Sequence, residues 1–226
     1  MNGESHDRTA PSLPGRERIY QRLLADLVEG RLPAGTRLVE ATLAAKTGVS
    51  RTPMREALLR LEQEGFVEGE RHKGYRVAQL DDRTARDIYP VVATLEALAL
   101  RSAAPIVKID LPLLRQANRA LDATRSDPRA AMEADAAFHR LLLARCPNAR
   151  LMQLIESLKR QLKRYESIYM SDAPLIELSV AQHEAIIAAI ENDDFAAAAA
   201  ALGDNYDSGL ALVLSKLRSG IGKRAA

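Results

Sequence analysis

A chain of 226 residues that is 47% apolar but only 4% aromatic, with no Trp and little Gly or Pro, has material for two modest cores built of helices. Its single cysteine, Cys146, excludes an internal disulfide and suits a reducing compartment, and its longest apolar run, Phe195 to Leu202, is far too short to span a bilayer. A net charge of +2 excludes bulk attraction as the means of holding nucleic acid, so any such contact must come from local placement.

In chain order, residues 1–13 are polar and lack the apolar core of a secretory signal; they read as a disordered arm, with His6 in the solvated tail, on a cytoplasmic protein. Ile19, Leu23 and Leu27 then give a helical stripe that ends at Gly30 and Pro33-Ala34-Gly35. LVEATLAAKTG is a shorter helix with Glu40 or Thr42 near its start and Gly48 at its end. After a turn of about three residues, VSRTPMREALLRLEQEG is a third helix. Ser50 is its N-cap, Pro53 sits in the first turn where its missing N–H costs nothing, and Gly65 stops it. Met54, Leu58 and Leu61 form its inward stripe, while Arg51, Thr52, Arg55 and Leu59 face outward. Phe66–Glu68 and Tyr75–Val77 are short strand patterns around Glu70-Arg71-His72-Lys73-Gly74, a hairpin with a basic tip. The predicted fold is mainly α: an N-terminal winged helix-turn-helix with a small β-hairpin wing, followed by an all-helical antiparallel bundle.

That frame points to double-stranded DNA. A helix fits the major groove, its N-terminal N–H groups favour phosphate oxygens, and Arg bonds guanine in a bidentate fork. Arg51, Thr52 and Arg55 stand at such a tip, and between Arg37 and Arg60 five basic residues face two acidic ones. GTRLVEATLAAKTGVSRTPMREALLRLEQEGFV resembles the DNA-binding domain of the GntR family of bacterial transcription regulators, over about residues 14–79. The resemblance implies DNA contacts at Arg37, Arg51, Thr52 and Arg55 and at the wing residues Lys73 and Gly74.

Past a boundary at Gln79-Leu80-Asp81, residues 80–226 read as a second domain of six helices: 82–104, 110–125, 128–145, 147–171, 174–192 and 194–219. Their expected starts are Asp81 or Asp82, Asp110, Asp127, Cys146-Pro147, Asp172 to Pro174 and Asp193-Asp194, and Pro90 is expected to kink the first or mark an irregular start. Leu151, Leu154, Ile155, Leu158, Leu162, Tyr165 and Tyr169 give the fourth a long apolar face, so Lys159, Arg160, Lys163 and Arg164 are expected in solvent.

Within the bundle Asp135 and His139 lie four apart on one helix face, with His183 and Asn205 on later helices. These residue types, if they converge, hold Zn²⁺ or a similar divalent ion; otherwise they are hydrogen-bonded core residues. DxxFH, then HxxIxxAI, then a candidate ligand 22 residues on is similar to the FCD effector domain of the FadR-like branch of GntR regulators, over about residues 82–219. The resemblance implies a Zn- or Ni-like metal held by Asp135, His139 and His183, a small carboxylate effector beside it, and a homodimer. In this chain Asn205 replaces the usual fourth His and is the expected fourth metal ligand, its carboxamide oxygen a weaker donor than imidazole; Glu96 matches the family while the Arg common near Val92, an implied carboxylate anchor, is absent. Glu96 and Asn205 are thus the expected effector-pocket residues.

The favoured function is a dimeric regulator, in the repressing sense, that binds a short inverted-repeat operator and answers to an organic-acid effector. A DNA-binding dimer whose helical half is metal-free or purely structural is the alternative. A metal-dependent enzyme is the remote one, since no HExxH or similar hydrolase spacing occurs. The roughly 140 residues of the second half also exclude a fused pyridoxal-phosphate enzyme.

Overall fold

The computed structural model describes residues 15–71, 73–124, 127–169 and 173–219, the side chains of 167–169 and 173 excepted. The expected arm with His6, the wing-tip His72, Asp172 and the side chain of Tyr169 lie outside them.

The first unit opens with α1 (Gly15–Val28), which buries Ile19, Tyr20, Leu23, Leu24 and Leu27 against the third helix. After β1 (Arg37–Leu38) come α2 (Glu40–Thr47) and α3 (Arg51–Gln63). Gly48 closes α2 in the left-handed region, with φ 68°. Ser50 holds the N-cap position of α3 with extended backbone, yet its side chain makes no cap bond. The helix stands without it because Met54, Leu58 and Leu61 are fully buried, each stabilising by about 2 kcal/mol against the ~1 kcal/mol of a cap. Its end is a Schellman motif: the Gly65 N–H donates to Glu62 O (2.9 Å) and the Phe66 N–H to Leu61 O (2.8 Å), with Gly65 at φ 74°.

The wing is β2 (Val67–Glu70) and β3 (Gly74–Val77), and the strand order β1-β3-β2 makes it a three-stranded antiparallel sheet. Arg37 pairs with Arg76 and Leu38 with Tyr75. The sequence reading missed β1, because two residues carry no alternation to detect.

The second unit consists of α4 (Asp82–Ala103), a 3₁₀ turn (Ile106–Asp110), α5 (Leu111–Asp122), α6 (Pro128–Leu142), α7 (Ala149–Tyr169), α8 (Ala173–Glu191) and α9 (Phe195–Arg218). Asp81, Asp127 and Asp194 accept hydrogen bonds from the first-turn N–H groups of α4, α6 and α9. Asp110 does not cap α5; its carboxylate takes both Nε and Nη2 of Arg145, at 2.7 and 2.8 Å. α7 starts after Cys146-Pro147, where Asn148 Oδ1 accepts from the Leu151 N–H. Pro90 lies inside α4 and does not mark its start. α9 packs against α4 and α8, and α5 joins α6 to α8.

α7 also reaches the first unit. Arg164, buried, donates through Nη2 to Ala78 O at 2.7 Å, and Tyr165 OH lies 3.4 Å from Asp81 O. Arg160 Nη2 lies 3.8 Å from Glu64 Oε2, the carboxylate oxygen that also accepts from Tyr20 OH at 2.6 Å.

Candidate nucleic-acid interface and candidate metal centre

The tip of α3 presents Arg51, Thr52 and Arg55 to solvent, while three and four residues away Met54 and Leu58 are sealed in the core. Arg55 is 68% exposed, and its one acidic neighbour, Glu40, stands 3.8 Å off, too far to immobilise it. The positive end of the helix dipole adds to these charges at the same tip. Arg37, on β1, donates from Nε to Lys73 O at 3.0 Å, so the wing tip is tied back beside the helix-turn-helix with Lys73 exposed. Gly74 serves a different need. At φ 90° a Cβ there would lie 2.6 Å from Leu38 O, so the residue lets β1 approach β3.

In the helical half, Asp135 and His139 on α6 and His183 on α8 converge: one ligand atom from each lies within 4.8 Å of the others, and all three side chains are buried. His183 Nε2 stands 3.5 Å and His139 Nε2 3.9 Å from the two carboxylate oxygens of Asp135. The far side of each ring is taken. Asn118 on α5 gives its amide Nδ2 to Val180 O at 3.1 Å, which turns Oδ1 toward His183 Nδ1 at 3.2 Å. Glu96 on α4 takes His139 Nδ1 at 2.8 Å. Since Oδ1 and a carboxylate only accept, both Nδ1 atoms carry a hydrogen and both Nε2 atoms are left on the side of Asp135. Burial pushes the pKa of His183 well below the usual imidazole value, so that ring is neutral; its Nε2 is buried with no hydrogen-bond partner, and Phe138 stacks on its face at 3.7 Å. The lone pair of a neutral His183, 3.5 Å from a carboxylate oxygen of Asp135, is repelled by it unless a proton or a cation lies between them. The donor set therefore fits a divalent ion.

A small cavity opens beside this cluster, lined by Asp135, His139, Glu166, Gln182, Asn205 and Tyr206 among others; the space open to the centre of a water-sized sphere is about 20 Å³, enough for one water or one ion. Asn205 is in its wall, its Nδ2 donating to Gln182 Oε1 (2.9 Å), and Gln182 Nε2 passes the chain on to Ser208 Oγ (2.8 Å). Glu96 is not in the wall. It stands fully buried behind His139, and Val92 is in the core.

The sequence reading divided the faces of α7 wrongly and so missed the residues it turns toward the cluster. Lys159 is half-buried and turned inward: its Nζ lies 3.0 Å from Glu96 Oε1, an ion pair without hydrogen-bond alignment, and donates to Tyr206 OH at 3.2 Å. Arg164 is buried, while Leu154, expected in the apolar face, is 57% exposed. The face turned inward is Leu151, Ile155, Lys159, Leu162 and Glu166, a spacing of four, four, three and four that polar residues at 159 and 166 concealed. Burial opposes ionisation of Glu96, but Lys159 and then His139 outweigh it and hold the carboxyl at about 2. Burial raises Asp135 above the usual carboxylate range and pushes Glu166 up to about 7. Asn118 also escaped; the signal available was one polar residue between Leu114 and Leu121 in an otherwise apolar stripe.

With this geometry in view, comparisons with known proteins agree across the chain. Residues 16–77 match the family model described as bacterial regulatory proteins, gntR family, and residues 87–207 match the FCD domain. A probable D-xylose utilization operon transcriptional repressor of Paenarthrobacter nicotinovorans is 31% identical over 86% of this chain and 85% of its own. The HTH-type transcriptional repressor GlaR of Escherichia coli is 28% identical over 84% and 90%. Among solved structures, E. coli McbR/YncC superposes with a TM-score of 0.74 at 21% identity, covering 91% of this chain and 100% of that one, a likeness of fold.

Proposed function

Because the chain belongs to the GntR family of bacterial regulatory proteins, with an FCD domain behind its winged helix, and acts as a DNA-binding regulator of transcription and not as an enzyme, we propose that it works as a homodimer on a short inverted-repeat operator, in the repressing sense, under a small organic-acid effector bound in the helical half. The observation that carries the DNA reading is the α3 tip, where Arg51, Thr52 and Arg55 are exposed on a helix whose opposite face is sealed. One such helix reads too few base pairs to be selective, and a two-fold pair reads two half-sites. Val91 and Leu98, seven apart and exposed on α4, supply apolar surface for that pairing. Relatives named as repressors support the sense of regulation.

Asp135, His139 and His183 would hold a divalent ion, whose chemistry there is that of a Lewis acid accepting an effector oxygen. The protein's own part is to orient both imidazoles through Asn118 and Glu96 and to surround the cavity with the amide and hydroxyl groups of Asn205, Gln182, Ser208 and Tyr206. An effector changes operator affinity only by binding one arrangement of the dimer better than the other.

The test is operator affinity at fixed salt for Arg51→Ala and Arg55→Ala, with circular dichroism as the folding control. Each loses about 1–3 kcal/mol if its contact is a bidentate base contact. Unchanged affinity in both folded variants would sink the assignment, and a monomer on DNA by sedimentation would remove the inverted repeat.

A further inference from the structure

Among the described residues, Lys159 stands near the centre of the bundle against three buried carboxyls, Glu96, Asp135 and Glu166. Lys159 and Glu96 face each other at 3.0 Å and cancel. His183 is neutral and its Nδ1 is committed to Asn118. What remains is the carboxyl of Asp135 and the carboxyl of Glu166, two turns along α7 from Lys159. Glu166 is 8% exposed, lines the same cavity as Asp135, His139 and Asn205, and makes no hydrogen bond or ion pair among the described residues. A carboxyl taken out of water with no donor, beside a second carboxyl, is costly by itself. The two together carry the charge that one divalent cation would balance.

We infer that Glu166 is a further protein ligand of the divalent ion, in a position beside Asp135, His139 and His183 that Asn205 does not fill. This rests on the metal reading of Asp135, His139 and His183. Two independent features meet at this cavity: from α8 the Nε2 of His183, buried without a hydrogen-bond partner, and from α7 the buried Glu166 in the cavity wall. Asn205 spends its amide nitrogen on Gln182 and remains a wall residue. Glu166 shares the cavity wall with Asp135 and His139 but is not among the ligand atoms that converge within 4.8 Å, so ligation requires its side chain to change rotamer. Two carboxylates with two imidazoles are a harder donor set than one carboxylate with three imidazoles, so the site shifts in preference toward Mn²⁺ relative to Zn²⁺.

The experiment uses the full chain stripped with chelator and then titrated with Mn²⁺ and with Zn²⁺ against a chromophoric competitor; Co²⁺ absorption gives a second, spectroscopic readout. His139→Ala abolishes binding, Glu166→Gln weakens it at least tenfold and alters the Co²⁺ bands, Glu166→Asp retains part of both, and Asn205→Ala stays within threefold of wild type. If His139→Ala abolishes binding while Glu166→Gln binds like wild type with the same Co²⁺ spectrum, the three-residue site stands and the role of Glu166 is overturned. Loss in Asn205→Ala without loss in Glu166→Gln makes Asn205 the fourth ligand and overturns it equally. No binding of either ion by wild type at micromolar concentration removes the metal reading and this inference together. Should Glu166→Gln fail to fold, Glu166→Asp decides by the same spectrum, an unchanged band pattern and affinity counting against the proposal.

Discussion

Gly74 shows how one residue without a side chain sets the position of the wing. Its φ of 90° is reached with little strain only by glycine, and the room beside it is occupied by Leu38 O, 2.6 Å from where a Cβ would stand. Both penalties fall on the same substitution. Gly74→Ala should therefore destabilise the first unit by about 1–3 kcal/mol and loosen the pairing of Leu38 with Tyr75. Thermal denaturation and amide exchange at β1 and β3 measure this. Because Arg37 is held by Lys73 O, operator affinity should fall too, although Gly74 offers no side chain to DNA. A variant with wild-type melting temperature and exchange would show that β1 yields without cost.

At the level of elements, α7 is the helix whose two sides do different work. Its inward face mixes Leu151, Ile155 and Leu162 with Lys159 and Glu166, and the charge of Lys159 is tolerated there because Glu96 on α4 meets it. Lys159→Met keeps the volume but leaves Glu96 buried with His139 Nδ1 as its remaining partner, a loss of up to about 3–5 kcal/mol at neutral pH. Pairing it with Glu96→Gln should restore most of that. The sign with pH follows from Glu96: its folded pKa of about 2 is depressed from 4.5, so its contribution is complete above 4.5 and is lost as pH falls through 2. In chelator-stripped protein the penalty of Lys159→Met should shrink as pH drops below about 4.5. Urea titrations at pH 7 and pH 3 supply the comparison, and a penalty equal at both would deny the ion pair its role.

On the scale of the whole molecule, two cores meet along a narrow seam. One is centred on Leu58, Leu61 and Phe66, the other on Leu100, Phe138 and Leu202. Between them Arg164 reaches from α7 to Ala78 O and Tyr165 to Asp81 O, five and six residues beyond Lys159 on the same helix. A shift of α7 at the cavity is thus a shift at the segment leading to the winged helix. Arg164→Ala leaves a buried carbonyl unpaired at a cost of about 1–3 kcal/mol, which raises local opening at residues 78–81 by roughly tenfold. Limited proteolysis there should accelerate accordingly while the helical half keeps its melting temperature. Equal cleavage rates would mean that the seam is held elsewhere.

The winged helix was legible along the chain because its signals are local. A stripe at Met54, Leu58 and Leu61, a stop at Gly65 and a proline in the first turn each act within a few residues, and hydrophobic spacing likewise located the bundle's helices to within about two residues at most ends. Asp135 and His139 were legible as one face of one helix for the same reason. That His183 joins them, that Asn118 and Glu96 orient both rings, and that Lys159 and Glu166 lie inward on α7 depended on which helices become neighbours. A buried charge is acceptable only where a partner from another element meets it, and spacing along a single helix carries no record of that partner. Composition and periodicity therefore determined the two-part, mainly helical architecture and the exposed basic tip of α3, whereas the charge balance at the centre of the bundle was decided by packing alone.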